Sequence, residues 1–225
     1  MWKRELGGRI FTFYLAGINN QNFLMRDNET GSYWQQISGK AVAGPMRGQQ
    51  LELVQSDELT FALWKKENPN GEVLRPVPAY EAKYEGKDWE ARLAKLPTVV
   101  NTSHTGVGGR ELVIGVARNG ESRAYPMSRI LDLKLIQDIV GGGQVLLVVG
   151  PDQTSVRVFA TRAMEDFYRK PDGTLIDAAT GSEWNFKGCA VAGSAQGTCL
   201  QALPAIKDYW FDWLEYHRSS TVFKR

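Results

Sequence analysis

The chain has 225 residues, enough for one large domain or two modest ones, each able to bury a core. Apolar residues make up 43%, charged residues 23%, and the formal net charge is +2 with the basic residues scattered, which argues against a nucleic-acid or anionic-membrane partner. The longest strongly apolar run is Val145–Gly150, far short of the ~20 residues a membrane-spanning helix needs.

In chain order, Met1-Trp2-Lys3-Arg4-Glu5 leads straight into Phe11-Thr12-Phe13-Tyr14. This reads as a strand and not as the apolar centre of a secretory leader, which taken literally implies the cytoplasm; a processed or truncated chain would look the same. Asn19-Asn20-Gln21-Asn22 follows, and then Asp27-Asn28-Glu29-Thr30-Gly31-Ser32-Tyr33-Trp34. The latter recurs as Asp177-Ala178-Ala179-Thr180-Gly181-Ser182-Glu183-Trp184. After a one-residue deletion, Gly39-Lys40-Ala41-Val42-Ala43-Gly44 matches Gly188-Cys189-Ala190-Val191-Ala192-Gly193, and the new displacement holds for Leu51/Leu200, Trp64/Trp213 and Val73/Val222. A displacement kept over that distance implies duplication.

Both copies carry the same local chemistry. Asp-x-x-Thr-Gly-Ser predicts an Asx-turn with glycine at positive φ, and Trp34 and Trp184 are expected to start strands and anchor the core. Ala-Val-Ala-Gly with a further glycine predicts strand, tight loop, strand. A helix is expected from Ser56-Asp57-Glu58 in copy 1, with Phe61 and Trp64 on one face. In copy 2 it is expected from Pro204, carrying Tyr209, Trp210 and Trp213. These aromatics suit the core stripe of an amphipathic helix better than a sugar platform.

Pro76-Val77-Pro78 ends the first pattern, and Tyr80–Leu96 predicts a linker helix or strap. Glu111–Val116 and Ser122–Tyr125 predict a hairpin about Asn119-Gly120. Met127–Val140 predicts a helix or helix-plus-strand, stopped by Gly141-Gly142-Gly143, before a buried strand at Gln144–Val149. The reading is α+β and β-rich: residues 1–76 form the carboxyl-terminal half of a first module, 77–107 a linker, and 108–225 a complete second module, each module with a sheet and one clear helix.

Several of these stretches resemble a bacterial domain-of-unknown-function family, number 3179. Gly115–Pro126 is similar to its entry hairpin, and Asn20, Leu24, Met25, Asp27, Thr30, Gly31, Ser32, Trp34 and Gln36 to its central block. Trp210, Phe211 and Trp213 are similar to its closing helix. Fuller members pair a Trp-His-Glu stretch with a Cys-x-x-Cys-type stretch, residue types suited to metal or redox chemistry. Here the corresponding stretches read Leu131-Asp132-Leu133-Lys134-Leu135-Ile136 and Val149-Gly150-Pro151-Asp152-Gln153-Thr154, with no His, Glu or Cys. The resemblance therefore implies no catalytic residues and no cofactor within copy 2.

Cys189 and Cys199 are the only cysteines and replace Lys40 and Gln50 of copy 1. The flanks of this loop are expected to face each other, so a disulfide closing roughly ten residues would contribute ~2–3 kcal/mol. Two buried thiols are the plain alternative, and a metal site lacks ligands. His104 is expected in a solvated loop, and His217 as a cation at a helix end. The remaining site candidate is the amide set Asn19, Asn20, Asn22, Gln35 and Gln36, which suits either a polar ligand or ordinary turns.

The function expected is a non-catalytic binding or assembly module for a small polar ligand or a protein. It would be extracytoplasmic if the disulfide forms, and otherwise cytoplasmic. The alternative is the carboxyl-terminal part of a metal- or redox-active protein with its reactive residues upstream of Met1. A structural-subunit role predicts an apolar patch beside the unpaired strand Phe11–Leu15.

Overall fold

The computed structural model describes residues 1–162 and 166–224. Its first unit opens with a small hairpin of β1 (Glu5–Leu6) and β2 (Arg9–Ile10). It continues as an antiparallel meander of β3 (Phe13–Asn19), β4 (Asn22–Asp27), β5 (Tyr33–Gln35) and β6 (Ala41–Ala43). Helix α1 (Phe61–Glu67) follows, capped by the Thr60 hydroxyl rather than by the Ser56-Asp57-Glu58 stretch. On α1 Leu63 is the buried residue, while Phe61 is exposed and stacked on Trp64. The expected aromatic core stripe is therefore not formed in copy 1.

The segment after Pro76 is not one helix. It is a 3-10 turn at Pro78–Lys83 and a short α2 (Trp89–Leu93), with Gly86 lying in the break between them. It straps against the first unit, where Gln21 Nε2 donates to the Pro97 carbonyl (3.1 Å) and the Val99 amide donates to Gln21 Oε1 (3.0 Å).

The second unit starts with β7 (Leu112–Arg118) and β8 (Glu121–Pro126), turned by Asn119 and Gly120 at positive φ as the Asn-Gly signal requires. Helix α3 (Met127–Leu133), β9 (Leu135–Val140), β10 (Gly143–Val149) and β11 (Val156–Ala160) follow, β10 being buried along most of its length. A second meander comes next: β12 (Phe167–Arg169), β13 (Leu175–Asp177), β14 (Glu183–Trp184) and β15 (Ala190–Ala192). The chain closes with β16 (Gln201–Ala202), β17 (Ile206–Tyr209), α4 (Trp210–Tyr216) and β18 (Thr221–Val222). The region expected to be helical from Pro204 thus forms a strand first, because Ile206–Tyr209 pair with Leu112–Gly115 of β7. Strand β18 pairs in parallel with β8, so the β17-β7-β8-β18 sheet is mixed.

The two meanders correspond in detail. Each runs in chain order, and each has a register shift at the pair before the tryptophan, Tyr33/Trp34 and Glu183/Trp184. The indole of Trp34 donates to Asp27 Oδ2 (2.7 Å), and that of Trp184 donates to Asp177 Oδ2 (2.8 Å). Thr30 and Thr180 amides close the two Asx-turns, with Gly31 and Gly181 at positive φ. These hydrogen bonds hold both aspartates below the usual carboxylate range against the opposing effect of burial. Trp34 is fully buried with Phe11, Ala41 and Leu51 in the core of the first unit.

The units are joined by charge as well as packing. The Arg157 guanidinium, 8% exposed, bridges Asp57 and Glu67 of the first unit at 2.7 Å each. Thr60 donates to Asp152 (2.7 Å), whose carboxyl is held down to about 2 by Ser155, Thr60 and Thr154 despite burial.

Candidate functional site

The amide-rich stretch forms the β3–β4 turn. Asn20 and Gln21 both sit at positive φ, so part of the cluster is turn chemistry. Asn22, the first residue of β4, is buried and fully used: Oδ1 accepts from Gln35 Nε2 (2.8 Å) and from the Ile37 amide (3.2 Å). Its Nδ2 donates to Gln36 Oε1 (3.3 Å) and to Asp212 Oδ2 (2.7 Å). Asn19 Nδ2 donates to Gln35 Oε1 (3.2 Å), and Gln35 is fully buried. Asn20 reaches Glu215 at 3.5 Å, the limit of a hydrogen bond. All five candidate amides are thus engaged with neighbouring side chains; Asn20 and Gln36 are the exposed ones, and Gln36 Nε2 is unpartnered among the described residues.

The network leads to two carboxylates that the sequence did not single out. Asp208 lies on β17 opposite Val113, and Asp212 lies one turn further on in α4. Asp212 is 4% exposed, and its Oδ1 has no partner among the described residues. Burial, and next the nearby charge of Asp208, push its carboxyl up to about 7, against the Asn22 hydrogen bond and Arg110. Asp208 is pushed up to about 6 by burial, helped by Glu58 and opposed by its bond from the Tyr209 amide. The Tyr216 hydroxyl is also buried, and burial, with the nearby charge of Asp212, raises its pKa against the Asn20 side chain. Carboxyls raised in this way by burial and a neighbouring charge are candidates for a functional site.

Asp208 and Gln36 open onto a cavity of about 400 Å³ between the two units. Its apolar wall includes Ile37, Ile114, Val158, Leu203 and Ile206, and its polar rim includes Gln55, Ser56, Asp57, Glu58 and Lys207. This combination, an apolar floor with a few converging polar groups at a junction, is the usual form of a small-molecule site. A second, more open hollow of about 740 Å³ lies along Phe61, Trp64, Arg157 and Lys187.

The other candidates fall elsewhere. Cys189 and Cys199 form a disulfide, and no free cysteine exists among the described residues. They pair across the loop at the same place as Lys40 and Gln50. His104 is exposed in a 3-10 turn. His217 caps the end of α4 as expected and stacks on Trp213 with ring centroids 3.7 Å apart, where burial lowers its pKa against the hydrogen bond to the Trp213 carbonyl. Among the described residues no group of three or more His, Cys, Asp or Glu side chains is placed to hold a metal ion. No described helix is long and apolar enough to cross a membrane.

No curated protein and no solved structure matches the chain significantly. The profile of a family described as "Protein of unknown function (DUF3179)" matches residues 1–220, running through both units in a single match. The chain therefore belongs to the DUF3179 family.

Proposed function

We propose that this chain is a non-catalytic binding module that holds a small polar ligand in the cavity between its two units, outside the cytoplasm. The observation that carries the reading is the cavity itself, where the Asp208 carboxylate and the Gln36 amide face an apolar floor. Support for a non-catalytic role comes from the replaced stretches Leu131–Ile136 and Val149–Thr154 and from thiols locked in a disulfide. The disulfide also favours an oxidising compartment. Of the amides expected to orient a ligand, Gln36 takes that part, while Asn19, Asn22 and Gln35 hold the wall in place.

The test is an amide-detected NMR screen of the chain against mixed small amines, alcohols, sugars and carboxylates. Saturable shifts at the Gln36 side chain and at Ile206–Asp208 are expected, lost in both Ala205→Phe and Ser56→Trp, which fill the cavity from two lining positions. Shifts that stay unsaturated, or that persist in both variants, would overturn the reading.

An assembly role has one observation of its own. Strand β3 is the edge of its sheet and, with the start of β4, exposes Leu15, Ile18 and Phe23 at 61%, 69% and 52%. Such an edge can pair with another strand. Concentration-dependent sedimentation that Ile18→Lys abolishes would support it, and a monomer at all concentrations would remove it.

A further inference from the structure

The charge inventory of the cavity is unbalanced. Three carboxylates line it: Asp57, Glu58 and Asp208. Asp57 is held by Arg157 (2.7 Å), and Glu58 is paired with Lys207. Among the described residues, Asp208 takes only the amide of Tyr209 (2.7 Å) and has no cation in contact, and Asp212 has none either. The charge of Arg110 is felt at Asp212, but its guanidinium donates to the carbonyls of Leu96 and Pro97 and lies over the rings of Tyr209 and Phe211. On the positive side, Lys207 is taken by Glu58, and the Met1 amino group donates to Ser56 (3.1 Å). Asp208 therefore faces the cavity as a carboxylate with no cation in contact among the described residues, above a floor in which Ile114 and Val158 are almost wholly buried.

An unpaired carboxylate in such a place loses solvation without any Coulombic return. A cation entering the cavity restores the return, and a chain of carbons attached to it covers apolar surface at the same time. An anion placed against Asp208 would meet like charge instead.

We propose that the cavity takes an organic cation, an ammonium group on a short alkyl chain, with the ammonium against Asp208 and the chain along the Ile114–Val158 floor. This rests on the reading of the cavity as a ligand site. The groups facing Asp208 are Glu58 and Asp212, both acidic, with Lys207 beside it and Arg110 beyond Asp212. Because the carboxyl is held up to about 6 in the empty protein, a bound cation lowers it and releases a proton. Binding is therefore weaker in acid and strengthens as the pH rises through that value.

The experiment is calorimetric titration of the full chain with hexan-1-amine, hexan-1-ol and hexanoate, in the wild type and in Asp208→Asn. The amine is expected to bind at least about tenfold tighter than the alcohol, about 1.4 kcal/mol. Asp208→Asn removes that preference without abolishing binding of the alcohol. Near pH 6 the heat should depend on the ionisation enthalpy of the buffer, a sign of proton release that needs no variant. An alcohol that binds the wild type as well as the amine would overturn the cation proposal and leave the cavity reading standing. No binding by any of the three would overturn both.

Discussion

Asn22 Nδ2 lies 2.7 Å from Asp212 Oδ2, which ties the β3–β4 hairpin to the last helix of the chain, α4. Asp212 is buried at this contact, and its second oxygen has no partner among the described residues. A carboxyl whose pKa is raised on folding binds more protons in the native state than in the unfolded one, so stability falls as pH rises. Asp208 and Asp212, raised to about 6 and about 7, place that loss above the ordinary value of 3.8 and through neutrality.

Chemical unfolding across that range is therefore expected to show the chain more stable in mild acid than in mild base. Asp212→Asn should flatten the dependence and stabilise the chain by about 1–3 kcal/mol above the titration. Its carbonyl still accepts from Asn22, so the contact between units is kept. An unchanged pH profile in the variant would mean that Asp212 titrates normally.

The disulfide and its counterpart make a second prediction. Lys40 and Gln50 form the same cross-loop bridge as Cys189 and Cys199. Lys40→Cys with Gln50→Cys should form a second disulfide on oxidation, shown by the loss of two titratable thiols. The gain expected is about 2–3 kcal/mol, as is the loss when Cys189→Ser and Cys199→Ser remove the natural one. Failure of the new pair to oxidise would show that the two loops differ in geometry.

Arg157 is the third case. Its guanidinium is buried between Asp57 and Glu67, and breaking such a group on one side leaves an uncompensated charge. Arg157→Met is expected to cost about 3–5 kcal/mol in denaturant unfolding, and adding Glu67→Met should recover a good part of it. No recovery would indicate that Arg157 acts mainly through packing, where it lies 4.5 Å from the Phe186 ring centroid.

Much of this was legible in the sequence where local chemistry decides structure. The Asx-turns at Asp27 and Asp177 follow from turn residues, and the facing of Cys189 and Cys199 follows from comparing the two loops. Strand β17 was not legible. Pro204 resembles a helix start, and the partner strand β7 is distant in the chain, so only tertiary pairing reveals it. Asp208 and Asp212 were missed for a related reason. Two aspartates one turn apart read as a solvated face, and what buries Asp212 is Asn22 from the far end of the chain. One signal was present: Asp212 sits inside the aromatic run Tyr209, Trp210, Phe211 and Trp213, and Asp208 directly before it, an unusual setting for charges. The amide set was half legible, since the residue types were right but most of them serve the wall and the turn.

The most direct test of the account is a carboxyl-detected NMR titration of Asp208, with and without hexan-1-amine. The account predicts a midpoint near 6 in the free protein, falling when the amine is added, together with saturable shifts at the Gln36 side chain. A midpoint near 3.8 in the free protein, unmoved by the amine, would contradict it.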